Sequence, residues 1–276
     1  MSHNVVVVIG VGGMGLSIAR RQGVGRKILL ADFNEELLGT AAGILRGEGY
    51  DIAVHPVDVS SRDSVTALAD EAAALGGVVE VAHTAGLSPV QAPPAAVLAV
   101  DLLGVALVLE EFGRIIAPGG AGVVIASMAG HLAPALTAEQ EQALARTPSD
   151  ELLKLPFLSD PEAIGLGAYG LAKHGNQLRV RAASVPWGER GARINSISPG
   201  VISTPMGQEE LAGENGGRMR AMIDASAAGR LGTPADITEA AAFLLGPTAT
   251  FITGTDLLVD GGVVAALRSG HAKPAA

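Results

Sequence analysis

The chain alternates between short apolar runs and longer stretches that are rich in alanine and leucine. Apolar runs without polar alternation are typical of strands that are buried on both faces of a parallel sheet, and the longer stretches have the length of helices. We therefore predict strands at residues 5–9, 27–31, 51–57, 78–83, 121–127, 193–198 and 256–260, and helices at about 13–23, 34–48, 61–75, 92–117, 168–190 and 234–245.

This alternation predicts an α/β protein with a Rossmann-type, doubly wound parallel sheet of about seven strands and helices on both faces. No repeat, linker or change of composition divides residues 1–276, so we predict a single domain. Residues 131–166 interrupt the alternation. Within them, Thr137 and Gln140 have the spacing of a capping box, and Asp160 precedes a proline that suits the first turn of a helix. We expect a small helical insertion here.

Composition narrows the range of partners. Hydrophobic residues make up 48% of the chain and charged residues 17%, which allows a large core. The net charge of −9, with no basic run, gives no sign of binding to nucleic acid or to an anionic membrane. The apolar run at 5–9 is too short for a signal peptide or a membrane span, and the chain has no cysteine for a disulfide. We expect a soluble cytoplasmic protein.

The histidines show no spacing that is typical of metal ligands. We therefore predict no metal site, and we expect these side chains on the surface or in loops. The six are His3, His55, His83, His131, His174 and His271.

A glycine-rich turn follows the first predicted strand and opens the first predicted helix. Glycines in such a turn let the backbone approach a pyrophosphate, and a helix N-terminus supplies N–H donors and a positive dipole. This context favours a dinucleotide-binding site over the alternative, a turn with no ligand. The residues concerned are Gly10, Gly12, Gly13, Met14 and Gly15.

Asp32 ends the second predicted strand, about 20 residues after Gly10. A carboxylate at this position can accept hydrogen bonds from both hydroxyls of an adenosine ribose, and it repels a 2′-phosphate. Asp32 therefore favours NAD over NADP. The alternative is that Asp32 is only the N-cap of the next helix.

Two further strand ends have similar positions. Asp58 and Val59 follow the third predicted strand, where they could meet the edge of an adenine. Small residues after the fourth strand, Ala85 and Gly86, would let the dinucleotide lie close. Ordinary turn chemistry is the alternative at both places.

Ser127 ends the fifth predicted strand, and Tyr169 and Lys173 lie four residues apart on one face of the next long helix. A nearby lysine lowers the pKa of a tyrosine phenol, which is ordinarily about 10. A serine hydroxyl can hold a substrate oxygen while charge changes there. The three side chains suit proton transfer at an alcohol or ketone oxygen while hydride moves at carbon. The alternative for Tyr169 is a helix aromatic with a polar tip.

Taken in order, these motifs resemble the short-chain dehydrogenase/reductase family over about residues 4–265. The matching features are the glycine-rich turn, Asp32, the Ala-Gly within 83–86, Ser127, the Tyr-x-x-x-Lys of 169–173, I-N-S-I-S-P-G-V-I-S-T-P at 194–205 and L-V-D-G-G at 258–262.

The resemblance implies a role for each matching residue. Tyr169 would be the general acid/base, Lys173 would lower its pKa and bind the nicotinamide ribose, and Ser127 would orient the substrate oxygen. Residues 203–226 would form a mobile substrate lid. The residues implied at the nicotinamide end are Pro199, Gly200, Ile202 and Thr204.

The chain departs from the family pattern in two of these motifs. The glycine-rich turn lacks the usual threonine and is one residue shorter, although we expect pyrophosphate binding to survive. Asp101 stands where the family has an asparagine that supports a water relay to the lysine. An ionised Asp101 would partly offset the charge of Lys173. We hypothesise a weaker lowering of the Tyr169 pKa and a more alkaline activity profile, unless Asp101 faces elsewhere.

A third departure is the long stretch between Ser127 and Tyr169. This stretch and residues 181–200 resemble bacterial 3α-hydroxysteroid dehydrogenase/carbonyl reductases, in which a helical insertion before the catalytic tyrosine covers a helix face that other members use to dimerise. We therefore expect a homo-oligomer that is a dimer and not the usual tetramer.

These observations together predict an NAD-dependent oxidoreductase. It would interconvert a secondary alcohol and a ketone on a fairly apolar small molecule, with a hydroxysteroid as one candidate. The alternatives are an NADP-dependent biosynthetic ketoreductase, against which Asp32 speaks, and a non-catalytic dinucleotide-binding regulator. Retention of Ser127, Tyr169 and Lys173 together speaks against the regulator.

Overall fold

The computed structural model describes residues 4–90, 92–165, 167–214 and 216–270, without the side chains of residues 162 and 163. His3 and His271 lie outside the described residues. The strands are β1 (Asn4–Ile9), β2 (Lys27–Asp32), β3 (Asp51–Pro56), β4 (Gly77–His83), β5 (Ala121–Ile125), β6 (Arg193–Pro199) and β7 (Asp256–Val259).

The helices differ widely in length, from single turns to the long helix after residue 166. They are α1 (Gly13–Gln22), α2 (Glu35–Gly47), α3 (Arg62–Leu75), α4 (Pro94–Val97), α5 (Gly104–Ile115), α6 (Met128–His131), α7 (Ala138–Arg146), α8 (Ser149–Leu152), α9 (Pro161–Ile164), α10 (Gly167–Glu189), α11 (Pro205–Ala212), α12 (Gly216–Ala225), α13 (Pro234–Leu245) and α14 (Val263–Arg268).

The seven strands form one parallel sheet in the order β3-β2-β1-β4-β5-β6-β7. The chain runs outward from β1 to β3, returns to place β4 beside β1, and then runs outward to β7. The connections after β1 and β4 therefore leave in opposite directions, which opens a crevice at the carboxyl ends of these strands. The predicted Rossmann-type sheet of about seven strands is confirmed.

Two apolar layers cover the faces of the sheet. Helices α3, α5 and α10 pack on one face, where Phe112 and Trp187 are the largest buried side chains. Helices α1, α2 and α13 cover the other face. Successive residues of β1 point into opposite layers, Val5 into the first and Val6 into the second. The continuous apolar run of this strand follows from its burial on both sides.

The segment 131–166 carries the short helices α7, α8 and α9. A third apolar cluster joins them to the body of the protein, with Leu144 and Leu152 packed among residues such as Leu102 and Leu178. The expected helix start after Asp160 is confirmed, since α9 begins at the next residue.

The predicted capping box at the start of α7 is also confirmed. The Thr137 hydroxyl accepts a hydrogen bond from the backbone N–H of Gln140 at 3.3 Å, and the Gln140 side chain accepts one from the Thr137 N–H at 2.9 Å. Two N–H groups that the helix itself cannot pair are satisfied in this way.

Two predicted elements differ from the structure in detail. The helix predicted at 92–117 runs from Pro94 to Ile115, but its turn at Leu98–Leu103 is π-helical and joins α4 to α5 with helical backbone angles. This wider turn carries Asp101, and such turns are frequent at functional sites. The strand predicted at 121–127 ends at Ile125. Ser127 instead caps α6, since its hydroxyl accepts from the N–H of Ala129 at 3.1 Å.

Candidate active site

The glycine-rich turn joins β1 to α1 and passes close to the end of β4. Gly10 has a φ of +91°, and a Cβ there would lie 2.5 Å from the Ala85 nitrogen. At Gly15 a Cβ would lie 1.9 Å from the Gly10 carbonyl oxygen. Gly12, in contrast, has nothing within 4 Å of its Cβ position, and no side chain caps α1. The first turn of α1 thus keeps its N–H groups for an anion beside open space, which fits a pyrophosphate.

Asp32 is held at the end of β2, beside this turn. One carboxylate oxygen accepts a hydrogen bond from the Val11 N–H at 2.8 Å, and the other accepts one from the Asn34 N–H at 2.9 Å. The N-cap of α2 is Asn34, whose side chain accepts from the Leu37 N–H. The alternative in which Asp32 is that N-cap is therefore wrong. Each carboxylate oxygen keeps a further lone pair, which fits the hydroxyls of a ribose.

The ends of β3 and β4 reach the same edge of the sheet. The Asp58 carboxylate closes a turn by accepting from the N–H and the hydroxyl of Ser60, at 2.9 and 2.6 Å. Val59 is buried in the core. The contact of these two residues with an adenine stays a prediction.

After β4, the hydroxyl of Thr84 donates to the Gly10 carbonyl at 2.7 Å, which ties this strand to the glycine-rich turn. A Cβ on Gly86 would lie 3.2 Å from both the Lys173 ammonium and the Asp101 carboxylate. Because Gly86 has no side chain, space is left beside these two charged groups. The backbone of Ala85 lies close to Gly10 and so supports the glycine-rich turn.

Ser127, Tyr169, Lys173 and Asp101 line one cavity at the carboxyl edge of the sheet. The Lys173 Nζ lies 5.4 Å from the centroid of the Tyr169 ring and 3.0 Å from Asp101 Oδ2, and both members of this ion pair are buried. The other Asp101 oxygen accepts from the Leu87 N–H at 2.7 Å. The alternative in which Asp101 faces elsewhere is therefore wrong.

The pKa of the Tyr169 phenol is raised above its ordinary value. Burial raises it most, Lys173 lowers it, Asp101 raises it further, and a hydrogen bond with Ser127 lowers it. Lys173 and Asp101 act in the directions expected from their charges. The predicted lowering by Lys173 is therefore present, but the loss of hydration of a buried phenolate outweighs it, and the net pKa is raised.

The ion pair also acts on Lys173. Burial lowers the pKa of this ammonium, but Asp101 and Tyr169 more than offset the burial, so the pKa is raised above its ordinary value. Lys173 therefore keeps its positive charge beside the phenol. The Lys173 ammonium also donates to the Ile125 carbonyl at 3.4 Å, which fixes its position at the end of β5.

His83 is buried at the end of β4, with 1% of its surface exposed, so its predicted place on the surface or in a loop is wrong. Neither ring nitrogen has a hydrogen-bond partner within the described part of the chain. Burial, with a smaller effect of Lys173, lowers the pKa of the imidazole to about 3. His83 ends an apolar run, and that run was the signal that it belongs to a buried strand.

The cavity has a volume of about 350 Å³. The residues predicted at the nicotinamide end, Pro199, Gly200, Ile202 and Thr204, line it. Other lining residues carry no motif that marks them in the sequence. From the body of the protein these include Leu87, Pro89, Val90 and Met128, and from the lid (residues 203–226, which carry α11 and α12) they include Met206, Glu210, Arg218, Met219 and Met222.

The chain matches a protein-family model described as enoyl-(acyl carrier protein) reductase over residues 10–140 and 161–264. It is 42% identical to the short-chain dehydrogenase/reductase bsc3 of Alternaria brassicicola over 268 residues, which cover 97% of this chain and 98% of that protein. The chain belongs to the short-chain dehydrogenase/reductase family. It is an oxidoreductase of this family, whose members bind a nicotinamide dinucleotide. Several relatives are named as dehydrogenases of alcohols, which supports an alcohol or a ketone as the class of substrate.

The chain is also similar to a further relative and to a solved structure. The chain is 30% identical to cis-4-hydroxycyclohexanecarboxylate dehydrogenase of Sinomonas cyclohexanicum, across 96% of this chain and 98% of that one. Its fold is similar to that of actinorhodin polyketide ketoreductase solved with NADPH, with a TM-score of 0.74 and 23% identity, across 95% and 97% of the two chains.

The described residues hold neither a metal-ligand group nor a membrane-spanning helix. No three of their His, Cys, Asp and Glu side chains form a group that could hold a metal ion. None of the described helices has both the length and the apolar character needed to cross a membrane.

Proposed function

We propose that this chain is an NAD-dependent enzyme that interconverts a secondary alcohol and a ketone on a fairly apolar small molecule. The observation that carries the proposal is the convergence of Ser127, Tyr169 and Lys173 on one cavity beside the glycine-rich turn. Ser127 and the Tyr169–Lys173 pair come from different elements and have no structural need to meet at a cavity, whereas proton transfer to a substrate oxygen requires it.

The mechanism follows from what each side chain can do. A nicotinamide dinucleotide, when bound, supplies the hydride acceptor or donor. The Tyr169 hydroxyl exchanges a proton with the substrate oxygen. Ser127 accepts a hydrogen bond from the Ala129 N–H, which fixes its oxygen, and its hydroxyl, which contacts Tyr169 in the chain by itself, donates to the substrate oxygen. Lys173, held by Asp101, stabilises the Tyr169 phenolate, which accepts the proton of the alcohol during oxidation and forms again when a ketone is reduced.

The dinucleotide would lie across the turn after β1. We assign its pyrophosphate to the start of α1, its adenosine ribose to Asp32 and its nicotinamide ribose to Lys173. The carboxylate of Asp32 supports NAD, since it would repel a 2′-phosphate. The structural relative with NADPH keeps the NADP-dependent ketoreductase as a second candidate. The full set of proposed cofactor contacts is Gly10, Gly12, Gly13, Met14, Gly15, Asp32, Asp58, Val59, Ala85, Gly86, Tyr169, Lys173, Pro199, Gly200, Ile202 and Thr204.

The cavity lining supports a substrate with an apolar body. Apolar residues, methionines foremost among them, make up more than half of the lining residues. The relative named for cis-4-hydroxycyclohexanecarboxylate acts on a secondary alcohol carried by a ring. We therefore propose a cyclic secondary alcohol or its ketone, with a hydroxysteroid as one member of that class. A cytoplasmic location is part of this proposal.

We also propose that the chain forms a dimer and not a tetramer. Helix α7 packs on α10, and α8 is tied to α5 by the Ser149 hydroxyl, which donates to Glu110 at 2.6 Å, beside the third apolar cluster. Arg62 joins the segment 131–166 to α5. Its guanidinium contacts Asp150 at 3.0 Å and the Ser149 hydroxyl in that segment, and it also contacts Glu110 of α5. A helix face covered in this way does not serve a second subunit. A solution mass that matches a tetramer would contradict this assignment.

The test of the proposed function is the appearance of reduced nicotinamide, followed by its absorbance, with NAD⁺ or NADP⁺ and a panel of cyclic secondary alcohols and hydroxysteroids. We expect turnover with NAD⁺. Asp32→Ala should lower the preference for NAD⁺ over NADP⁺ by about tenfold or more, because it removes charge-assisted hydrogen bonds and a repulsive charge. Asp51→Ala is the matched control, since Asp51 pairs with Lys27 at the start of β3. Tight NADH binding without turnover of any alcohol would favour the regulator.

A further inference from the structure

Glu210 is a charged residue of the cavity that the proposed mechanism does not use. It lies on α11 of the lid, half-buried, and it lines the same cavity as Tyr169. Its carboxylate accepts a hydrogen bond from the buried hydroxyl of Ser88, in the segment that follows β4. The preceding residue, Glu209, is exposed and belongs to the outer side of the same helix.

The surroundings of Glu210 are unfavourable for a carboxylate. Its neighbours in the cavity lining include Met206, Met219 and Met222, and burial raises the pKa of Glu210 above its ordinary value. The negative charge of Glu210 also reaches the Tyr169 phenol, whose pKa it raises. Among the described residues, the Ser88 hydroxyl is the hydrogen-bond donor to this carboxylate. The Glu210 carboxylate therefore keeps further lone pairs for a donor in the cavity that it lines.

The charges of the cavity lining indicate what kind of group would meet Glu210. Two carboxylates, Asp101 and Glu210, line the cavity together with two cations, Lys173 and Arg218. Their formal charges cancel, so the lining has no excess negative charge that would select an ammonium. A neutral hydrogen-bond donor therefore suits the Glu210 carboxylate. In the substrate of an enzyme that acts on alcohols, a hydroxyl group is such a donor.

We propose that Glu210 is a specificity-determining residue that accepts a hydrogen bond from a second hydroxyl group of the substrate. The substrate class is then a mostly apolar molecule that carries one hydroxyl or carbonyl at the reacting carbon and another hydroxyl apart from it. Because Glu210 belongs to the lid and Ser88 to the body, the same carboxylate also joins the two walls of the cavity. This inference rests on the proposed function.

The experiment compares cyclohexanol with the 1,2-, 1,3- and 1,4-cyclohexanediols. Two quantities are measured, kcat/KM with NAD⁺ and the affinity for each alcohol by calorimetry in the presence of NADH. We expect the wild-type protein to prefer at least one diol by about tenfold or more, after correction for its two hydroxyls, since hydrogen bonds to charged groups have this value. Glu210→Met should remove the preference, whereas Glu210→Gln, which retains an acceptor, should keep part of it.

Glu209→Met is the matched control, because it removes the adjacent carboxylate outside the cavity and should keep the preference. Calorimetry with trans-4-aminocyclohexanol tests whether Glu210 prefers an ammonium group to a hydroxyl group. If this compound binds more tightly than every diol, the assignment to a neutral hydroxyl is overturned. Equal affinities for cyclohexanol and all diols, or a preference that survives in Glu210→Met, would also overturn it. Oxidation of cyclohexanol in that case would leave the proposed function intact. Absence of all turnover would count against the proposed function, while the calorimetry would still decide the role of Glu210.

Discussion

The floor and the lid of the cavity are built in opposite ways. The floor (Asp101, Ser127, Tyr169 and Lys173) is held by polar contacts to the body of the protein, since Lys173 is bound by Asp101 and by the carbonyl at the end of β5. The lid lines the cavity with three methionines, which are flexible and adapt to different shapes. The reaction is therefore assigned to rigid elements and the choice of substrate to short, adaptable helices.

The largest expected effect tests the floor. Tyr169→Phe removes the hydroxyl that exchanges the proton, and we expect kcat to fall by about 10²–10⁴-fold while NADH binding is kept. Tyr50→Phe is the matched control, because the Tyr50 hydroxyl donates to the Arg20 carbonyl, away from the cavity. Turnover and NADH fluorescence titration measure the two properties. If Tyr169→Phe has the same kcat as the wild type, the Tyr169 hydroxyl does not exchange the proton with the substrate.

Asp101→Asn tests the ion pair of the floor. It leaves the buried Lys173 without its counter-charge, so we expect the free energy of unfolding to fall by about 3–5 kcal/mol. The Asp101 charge raises the pKa of Tyr169, so its removal should lower that pKa and move the activity profile to lower pH. Asp51→Asn breaks the surface pair with Lys27 and should cost at most about 1 kcal/mol. Denaturant unfolding and pH profiles of kcat/KM measure both effects, and an unmoved profile would argue against the role of Asp101.

His83 lies behind the floor and should affect stability more than chemistry. Its pKa is about 3 in the folded chain, below the value of about 6.5 in an unfolded chain. The unfolded chain therefore binds more protons between these values, and stability is lost as the pH falls below about 6.5. At pH 5 the expected loss is about 2 kcal/mol relative to neutral pH.

His83→Leu removes this titration together with two unpaired ring nitrogens. We expect the variant to lose less stability than the wild type between pH 7 and pH 5, as measured by denaturant unfolding at both values. Equal losses in the two proteins would show that His83 does not carry the pH dependence.

The smallest expected effect belongs to the lid. Met222→Ala shortens a half-buried side chain of the cavity lining, and we expect kcat/KM for a bulky cyclic alcohol to fall by less than about tenfold, with the pH profile unchanged. Met222→Leu, which conserves volume, should stay close to the wild type. A shift of the pH profile in Met222→Ala would contradict the separation of floor and lid.

The sequence predicted features that depend on neighbouring residues, but it did not predict contacts between residues far apart in the chain. Strand–helix alternation predicted the sheet, and the spacing of Tyr169 and Lys173 predicted their shared helix face, because both depend on local periodicity. The direct contact of Asp101 with Lys173 did not follow from any local pattern. Asp101 lies in the π-helical turn at Leu98–Leu103, a local departure from α-helical geometry that the sequence does not predict.

By itself, the sequence determined the order of the elements, the glycines that the β1–α1 turn requires, and the residue types that we propose for the chemistry. Only the tertiary structure decided the burial of His83, the raised pKa of Tyr169 and the place of Glu210 in the cavity. The reason is physical. Periodicity and turn chemistry act between residues that are near in the chain, whereas hydration and charge act between side chains that only folding brings together.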